Sequence, residues 1–166
     1  NYVLEFMADY LAIGLDPERC TIFAHSYIAE LNQLMLPFLS LVSVPELQRN
    51  PTVKEEIRTS DRPQVSSLMF TYPVHQAADI LFCKGNLVPG GRDQMPHLEV
   101  ARDIGRRFNE RFSPDEPYFP EPEILLSNAP LLLGVDGNKM GKSLNNSIHL
   151  GADEDETAAL FVAGGR

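Results

Sequence analysis

Apolar residues recur at helical spacing from the beginning of the chain. In residues 2–13, apolar side chains such as Met7 and Leu11 fall on one face and acidic residues fall on the other, which predicts an amphipathic helix. Residues 31–42 are mostly apolar and predict a second helix. Because proline lacks the amide hydrogen that a helix interior needs, we expect a break or kink at Pro37. This second apolar segment suits either the core or a contact between two copies of the chain.

The middle of the chain changes from polar to apolar. Residues 48–65 are polar and predict a connection with a short helix after Pro51, which is either a lid over a site or a solvated loop. Helical spacing of apolar residues then returns over 66–72. A proline follows directly, and because proline fits the first turn of a helix, we expect a separate helix over 73–83.

The clearest helical pattern follows Arg92, where an apolar stripe runs through residues 93–112. Asp93 is predicted to be the N-cap of this helix. Its arginines stand three or four residues from acidic residues, which predicts weak ion pairs on a solvated face, with tRNA binding as the alternative. The arginines are Arg102, Arg106 and Arg107, and the acidic residues are Glu99 and Asp103.

Short apolar runs between these helices predict strands. The candidates are residues 21–24, 87–89, 123–126 and 131–133. A helix followed by such a strand is half of an α/β repeat. Acidic residues over 153–156 suit a helix N-terminus, where carboxylates oppose the positive end of the helix dipole, and metal binding is the alternative.

Composition narrows the class of protein. The chain has 166 residues, 43% of them hydrophobic, which is enough for one ordinary domain with a sizeable core. Its net charge of -9 argues against nucleic-acid binding through bulk charge, so any phosphate must meet a local basic patch. The 2 cysteines lie in apolar surroundings, as in reduced cytosolic proteins, with a disulfide as the alternative. No apolar run is long enough to cross a membrane. These features predict a cytoplasmic protein. Because the sequence opens without methionine inside a helical pattern, we expect that it is a fragment.

The segment 134–148, which we call the lysine loop, combines glycines, two lysines and a hydroxyl. Lys139, Lys142 and Ser143 can converge on a small anion, and Gly137 and Gly141 give the backbone freedom around them. The pattern indicates a phosphate-binding loop, and a solvated surface turn is the alternative. A P-loop is not indicated, because that motif requires glycine where this chain has an aspartate at position 136.

Polar residues on one face of the helix around residue 76 form a second candidate site. Gln76 and Asp79 are three residues apart among apolar neighbours, and Tyr72 and Pro73 precede them. A carboxylate in apolar surroundings costs several kcal/mol unless a donor binds it. Asp79 therefore either pairs with a donor inside the protein or accepts a hydrogen bond from a ligand.

The residues after the strand at 87–89 form a third candidate site. Gly90 and Gly91 let a ligand approach the backbone at the carboxyl end of a strand, which is where α/β sheets bind ligands. Asp93 and Gln94 follow at the start of a helix. A simple turn with Asp93 as N-cap is the alternative, and it leaves Gln94 without a function.

Together these blocks resemble a known family. Residues 71–109, TYPVHQAADILFCKGNLVPGGRDQMPHLEVARDIGRRFN, and the lysine loop closely resemble the second half of the catalytic domain of bacterial tryptophanyl-tRNA synthetases. The resemblance extends from the first helix to the lysine loop, and the motifs occur in the family's order. KMGKS matches the family's Lys-Met-Ser-Lys-Ser signature except for Gly141. Tyrosyl enzymes share the lysine loop and the Gly-Gly-x-Asp-Gln block, but YPVHQAADIL and HLEVARDI look like the tryptophan branch.

The resemblance implies a role for each matched residue. It implies that Asp79 accepts a hydrogen bond from the indole N–H and that Tyr72 and Gln94 hold the α-amino group. Val88 and Gln76 match positions at the indole, although Gln76 replaces a methionine found in many members. The nucleotide would contact Gly91, Asp93 and Met140, and Lys139, Lys142 and Ser143 would act on its phosphates.

The resemblance also implies an architecture and an activity. The expected fold is an incomplete Rossmann-type α/β fold with a parallel sheet, in which residues 1–150 form the second half of the catalytic domain and residues 151–166 begin the segment leading to a helical domain. The expected activity is tryptophan–tRNA ligase, with ATP as substrate, Mg²⁺ beside the lysines, tRNA(Trp) as acceptor and a homodimer as assembly. The fragment alone is expected to have slight activity. The alternatives are a tyrosyl-type synthetase and a non-catalytic paralogue that binds an amino acid or nucleotide.

Overall fold

The computed structural model describes residues 2–59, 65–128, 132–138, 140–141 and 144–164. The chain divides into two compact units, one of residues 28–128 and one of residues 1–27 with 129–166. The first unit contains α2 (Ala29–Gln33), α3 (Met35–Leu39), α4 (Val44–Arg49), α5 (Pro51–Thr59), α6 (Ser67–Phe82), β1 (Leu87–Gly90), α7 (Met95–Phe112) and β2 (Glu123–Leu126). The second contains α1 (Tyr2–Ala12) and α8 (Glu154–Gly164).

Helix α6 is continuous through Pro73, so the prediction of separate helices over 66–72 and 73–83 is wrong. Ser66 caps the helix, because its hydroxyl oxygen accepts a hydrogen bond from the Met69 amide at 3.1 Å. Pro73 is buried, together with Val74 and Ala77 on the same helix. Packing of this apolar face keeps the helix intact where the local preference of proline alone would interrupt it.

The break in the segment 31–42 occurs at Leu34, between α2 and α3, and not at Pro37 as predicted. A proline ring clashes with the carbonyl four residues before it, which belongs to Gln33, the last residue of α2. Pro37 therefore lies in the first turn of α3, and the interruption precedes it. Within this unit Phe38 is buried, so part of the segment belongs to the core.

The polar connection contains more helix than predicted. The helix after Pro51 is confirmed as α5, and the Asn50 side-chain oxygen caps it by accepting from the Thr52 amide at 3.0 Å. Helix α4 is not predicted, although its first turn has the Ser-x-x-Glu spacing of a capping box: Glu46 Oε2 accepts from the Ser43 amide at 2.7 Å. The predicted lid or loop falls partly at 60–64, outside the described residues.

Strands β1 and β2 pair in parallel, which confirms both predicted strands. Val88 stands opposite Ile124, and α7 connects the two strands, so β1, α7 and β2 form a β-α-β unit. The predicted stripe of α7 is also confirmed, since Leu98, Ala101 and Ile104 are buried. This unit places the residues that follow β1 at the carboxyl edge of a parallel pair of strands.

The core of the 28–128 unit lies between α6, α7 and the short helices before them. The aromatic ring of Phe38 packs edge-on against those of Phe108 and Phe119, with centroids 6.3 and 5.7 Å away. Helices α6 and α7 approach closely at Gly105, where a Cβ would lie 3.3 Å from a Leu81 methyl carbon. The other buried members are Leu41, Leu47, Val74, Ala77, Ala78, Ala101 and Ile104.

The arginines of α7 are mostly structural. Arg102 donates to Glu99 at 2.7 Å and to the Pro122 carbonyl at 2.7 Å, and Arg106 pairs with Asp103, as the sequence spacing predicts. Arg107 instead forms an ion pair with Glu46 on α4. Arg102 and Arg107 therefore join α7 to its neighbours within the unit, whereas the Arg106 pair lies within the helix.

In the unit of residues 1–27 and 129–166, helix α1 is confirmed, and its side chains are exposed or half-buried. The predicted strand over 21–24 is wrong, because these residues lie in no strand of the described part of the chain. A β-branched run favours extended backbone but becomes a strand only beside a partner. The acidic helix start is confirmed as α8, where Asp153 Oδ1 accepts from the Glu156 amide at 2.8 Å. Of the strand candidate at 131–133, residue 131 is outside the described residues.

No helix within the described ranges combines the length and the apolar character required to cross a membrane.

Candidate functional site

Successive turns of α6 present polar side chains toward the start of α7. The Tyr72 hydroxyl and His97 Nε2 lie 3.2 Å apart, and the two rings meet edge to face with centroids 5.1 Å apart. His97 is 2% exposed, so its ring is held by packing and in turn fixes the Tyr72 hydroxyl. One turn further along α6, Gln76 reaches Gln94.

A directional chain of hydrogen bonds links α6 to the residues after β1. Gln76 Nε2 donates to Gln94 Oε1 at 2.9 Å, and Gln94 Nε2 donates to Asp93 Oδ2 at 3.3 Å. A carboxylate only accepts, so Asp93 determines which end of the Gln94 amide faces it. The Gln94 oxygen is thereby directed toward α6, where it accepts from Gln76. An acceptor in that place is suited to a ligand ammonium group.

Asp93 is not the N-cap of α7, which corrects the sequence prediction. Residues 92–94 form a 3-10 turn, α7 begins at Met95, and its N-cap position is Gln94, with no side-chain capping bond. The Asp93 carboxylate instead folds back toward Gly91. A Cβ at Gly91 would lie 2.5 Å from Asp93 Oδ1, so glycine is required there for this arrangement. The carboxylate remains exposed at the carboxyl end of β1, and Val88 lies half-buried on that strand.

Asp79 lies one helical turn beyond His75 on α6. Its Oδ2 atom is 3.8 Å from His75 Nδ1, close enough for an ion pair when the imidazole is protonated, and its side chain is 43% exposed. His75 Nε2 also lies 3.3 Å from Asn32 Oδ1 on α2. The structure thus gives Asp79 a neighbour inside the protein and leaves its carboxylate accessible in this unit.

The lysine loop belongs to the unit of residues 1–27 and 129–166 and is described in part. Lys139, Lys142 and Ser143 lie outside the described residues. Around them, the Met140 amide donates to the Leu132 carbonyl at 2.9 Å, and the Gly134 amide donates to the Asn138 carbonyl at 2.8 Å. The loop is therefore a hydrogen-bonded turn on both sides of its first lysine.

Side chains of the lysine loop reinforce this turn. Asp136 Oδ1 accepts from the Asn138 amide at 3.0 Å and from Asn146 Nδ2 at 2.8 Å. The hydrogen bond from the Asn146 side chain, followed by those from Asn138, holds the pKa of the Asp136 carboxyl below its usual range. Asp136 therefore stays ionised as a structural acceptor.

The two glycines of the lysine loop differ in what they require. Gly137 has a φ of 77°, in the left-handed region that favours glycine. Gly141 is not in that region, and a Cβ there would meet Leu144 carbons at 3.4 to 3.5 Å, which is ordinary van der Waals contact. The sequence predicted that both positions need the conformational freedom of glycine. Of the two, Gly137 alone needs it.

The donor set around the lysine loop bears on Mg²⁺. The loop sequence contains one carboxylate, Asp136, and it is engaged by Asn138 and Asn146. Mg²⁺ is commonly held by substrate phosphates and water with few protein ligands. The loop therefore has no protein carboxylate to spare for a magnesium ion, which would have to be held by phosphates.

Sequence reasoning missed His97 and Asn146, both of which are buried polar residues. His97 precedes Leu98 on the apolar stripe of α7, and this position is the signal that would have identified it as a buried partner. Asn146 lies late in the lysine loop among polar residues, so the sequence holds no periodic signal for its burial. The structure joins Tyr72 with His97 and Gln76 with Gln94 and Asp93; the lysine loop is described by itself.

The sequence matches, over residues 1–162, the family model described as tRNA synthetases class I (W and Y). It is 44% identical over 159 residues to the tryptophan–tRNA ligase of Thermotoga maritima, covering 94% of this chain and 47% of that protein. It is 47% identical over 154 residues to the tryptophan–tRNA ligase of Streptococcus pyogenes serotype M3, covering 89% and 44%. The chain spans about half the length of the curated relatives it matches.

The fold is likewise similar to a solved structure. The crystal structure of the tryptophanyl-tRNA synthetase from Campylobacter jejuni, complexed with ADP and tryptophan, matches with a TM-score of 0.81 and 30% sequence identity. The match covers 95% of this chain and 48% of that one. With the parallel pairing of β1 and β2, it confirms the prediction of an incomplete Rossmann-type α/β fold.

Proposed function

Because the chain belongs to the class I tRNA synthetases of the tryptophan and tyrosine type, we propose that the protein activates tryptophan with ATP and transfers it to tRNA(Trp). The observation that carries the proposal is the hydrogen-bond chain from Gln76 through Gln94 to Asp93 at the carboxyl end of β1. It directs a fixed acceptor toward α6 and keeps a carboxylate exposed beside it. Relatives named tryptophan–tRNA ligase support tryptophan as the amino acid.

The amino-acid side of the site lies in the 28–128 unit. Tyr72 and Gln94 hold the α-amino group of tryptophan, Asp79 accepts from the indole N–H, and Val88 contacts the ring. A site that pairs a carboxylate with one ligand N–H disfavours analogues that lack the donor, because its acceptor would then lose its partner. Gln76 borders the same pocket through its bond to Gln94.

Two segments, each described by itself, are assigned to the nucleotide: the turn after β1 in one unit and the lysine loop in the other. Gly91 lets ATP approach the backbone, Asp93 accepts from the ribose, and Met140 contacts the nucleotide. Lys139 and Lys142, with Ser143, are assigned to act on the phosphates. Mg²⁺, when bound through those phosphates, neutralises charge on them.

The reaction needs no side-chain nucleophile. A carboxylate oxygen of tryptophan attacks the α-phosphorus of ATP, the bond from that phosphorus to the bridging oxygen breaks, and pyrophosphate leaves. Catalysis then consists of positioning and charge stabilisation, in which Lys139 and Lys142 offset the negative charge that develops on the phosphates. In the second step tryptophan passes from the adenylate to the tRNA, the bond between its carbonyl carbon and the phosphate oxygen breaks, and AMP leaves.

The organisation of the whole protein is part of the proposal. Residues 1–150 supply the second half of the catalytic domain, and residues 151–166 begin the segment toward a helical domain. We place the protein in the cytoplasm, where tRNA is charged, as a homodimer. The resemblance to tryptophanyl-tRNA synthetases supports each of these statements, and the 166-residue chain alone is expected to have slight activity.

Pyrophosphate exchange by the full-length protein tests the proposal. With tryptophan and with tyrosine supplied separately, exchange is expected with tryptophan alone. Exchange with tyrosine alone would replace this function with that of a tyrosyl enzyme. The absence of exchange with either would favour a non-catalytic paralogue that binds an amino acid or a nucleotide.

Two substitutions test the roles proposed for the tryptophan side and the nucleotide side of the site. Asp79→Asn is expected to weaken tryptophan binding, measured by calorimetry, more than ATP binding, and unchanged tryptophan binding would make Asp79 a structural acid. Lys142→Ala is expected to lower the activation rate far more than tryptophan affinity. Equal losses in rate and affinity would make Lys142 a binding residue only.

A further inference from the structure

Asn146 is a buried polar residue that reaches both flanks of the first lysine in the lysine loop. It is 3% exposed, its Oδ1 atom accepts from the Gly141 amide at 2.9 Å, and its Nδ2 atom donates to Asp136 Oδ1 at 2.8 Å. Its backbone carbonyl accepts from the Val135 amide at 2.9 Å. One residue thus binds the segment before Lys139 and the residue that directly precedes Lys142.

The chemistry at both ends of the Asn146 side chain leaves one orientation of its amide. Asp136 is an ionised acceptor and requires a donor, whereas the Gly141 amide is a donor and requires an acceptor. Aspartate, leucine or alanine at position 146 would each lose at least one of these bonds. Asparagine satisfies both with a short side chain.

Packing also holds the Asn146 side chain in place. A Cβ at Gly134 would lie 2.4 Å from its Cγ atom and 2.4 Å from its Nδ2 atom, so the amide occupies the space that glycine leaves open. The hydrogen bond from Asn146 is also the largest cause of the lowered pKa of the Asp136 carboxyl.

We propose that Asn146 is a positioning residue that holds the two flanks of Lys139 in register, so that Lys139 and Lys142 act together on the phosphates of ATP. This inference rests on the proposed function for its catalytic readout. Asn146 touches no reacting atom in this scheme; it acts through Asp136 and Gly141. Loss of its contacts should therefore lower the rate of adenylate formation and leave the binding of tryptophan unchanged.

The experiment swaps the side chains of Asn146 and Asp136, first singly and then together, in the full-length protein. Asn146→Asp keeps the size of the side chain but places two carboxylates in contact. Its pyrophosphate-exchange kcat is expected to fall roughly ten- to hundredfold, the scale of a lost hydrogen bond to a charged group, while the KM for tryptophan stays within about twofold. Asp136→Asn should cost little, because its amide oxygen still accepts from Asn146.

The double variant Asn146→Asp with Asp136→Asn restores the bond with donor and acceptor reversed. It is expected to recover part of the lost rate, since the amide introduced at position 136 donates to the carboxylate introduced at position 146 and the Gly141 amide keeps its acceptor. The recovery is partial because the Asn138 amide, which donates to Asp136 Oδ1 in the wild type, loses that acceptor. Asn145→Gly is the matched control, because Asn145 has a φ of 51°, which glycine adopts freely, and it should behave as the wild type.

Hydrogen–deuterium exchange of residues 132–148 gives a second readout that does not depend on activity. We expect the amide hydrogens of this segment to exchange faster in Asn146→Asp than in the wild type and to exchange slowly again in the double variant. Failure of the double variant to recover either rate or protection would overturn the inference, as would a wild-type kcat in Asn146→Asp. If the wild type shows no pyrophosphate exchange but the amide protection of the variants still follows this pattern, the Asn146 contact is supported and the proposed function is refuted instead.

Discussion

At the scale of single residues, Gly141 is the local departure from the family signature, and its backbone does not need glycine. Its φ lies outside the left-handed region, and a Cβ would make only ordinary contact with Leu144. Gly137 is different, because its φ of 77° is costly for other residues.

We expect Gly141→Ser to fold and to exchange pyrophosphate at least as fast as the wild type. Replacing a glycine whose conformation the new side chain can adopt reduces the entropy of the unfolded chain, which stabilises by roughly 0.4–1 kcal/mol. Thermal unfolding and exchange assays measure both effects. Gly137→Ser is the matched control and should lose about 1–2 kcal/mol. A Gly141→Ser protein less stable than the control would contradict the backbone argument.

Gln76 is the second departure from the family pattern, because it replaces a methionine found in many members. Its amide nitrogen donates to Gln94. Gln76→Met removes this donor and keeps a side chain of similar length. The KM for tryptophan should rise roughly two- to tenfold, the scale of one net hydrogen bond, while the KM for ATP stays unchanged. Steady-state pyrophosphate exchange measures both constants. An unchanged tryptophan KM would mean that Asp93 alone orients Gln94.

At the scale of elements, α4 and α7 are joined by an ion pair that couples stability to pH. The hydrogen bond from Arg107, followed by those from Ser43, lowers the pKa of Glu46 to about 2 from its ordinary value of 4.5. Arg107 also donates to the Leu41 carbonyl at 2.6 Å, so the guanidinium group holds the chain on both sides of Ser43.

The sign of the pH effect follows from the direction of this pKa shift. A lowered carboxyl pKa contributes stability that is present above pH 4.5 and is lost as the pH falls toward 2. Between about pH 5 and about 2, urea unfolding should show a smaller loss of free energy in Glu46→Gln than in the wild type. Glu55→Gln is the control, because Glu55 pairs with Arg58 on the exposed surface of α5. If the free energy of unfolding falls equally with pH in all three proteins, the ion pair between α4 and α7 does not contribute to the pH dependence of stability.

At the scale of the whole molecule, the chain forms two compact units, and the buried hydrophobic cluster around Phe38 lies within residues 28–128. Phe38 is fully buried there among aromatic rings, although it lies on the short helix α3. The segment that the sequence left open between core and dimer contact thus contributes to the core of the chain.

Phe38→Ala should lower the free energy of unfolding by roughly 3–5 kcal/mol, because it removes apolar burial and leaves a cavity. Urea titration followed by far-ultraviolet circular dichroism measures the change. Phe112→Ala is the control, since Phe112 is 55% exposed and its truncation should cost much less. Similar losses at both positions would place Phe38 outside the core.

The sequence by itself determined the elements whose patterns are local. The periodicity of α7, the short strands β1 and β2 and the acidic start of α8 are all confirmed, because each depends on spacing that the residues themselves display. The glycine, aspartate and lysine motifs also determined the family resemblance, since their chemistry is written in order along the chain.

Only the tertiary structure decided the features that depend on distant partners. Pro73 stays inside α6 because its helix face is buried, and residues 21–24 form no strand because no described neighbour pairs with them. The orientation of Gln94 depends on Gln76, which lies 18 positions away, and the lysine loop is tied together by Asn146 from beyond its signature. Periodicity reports which face of an element is apolar, but it cannot report which polar atom another element brings to that face, and this is why the site required the fold.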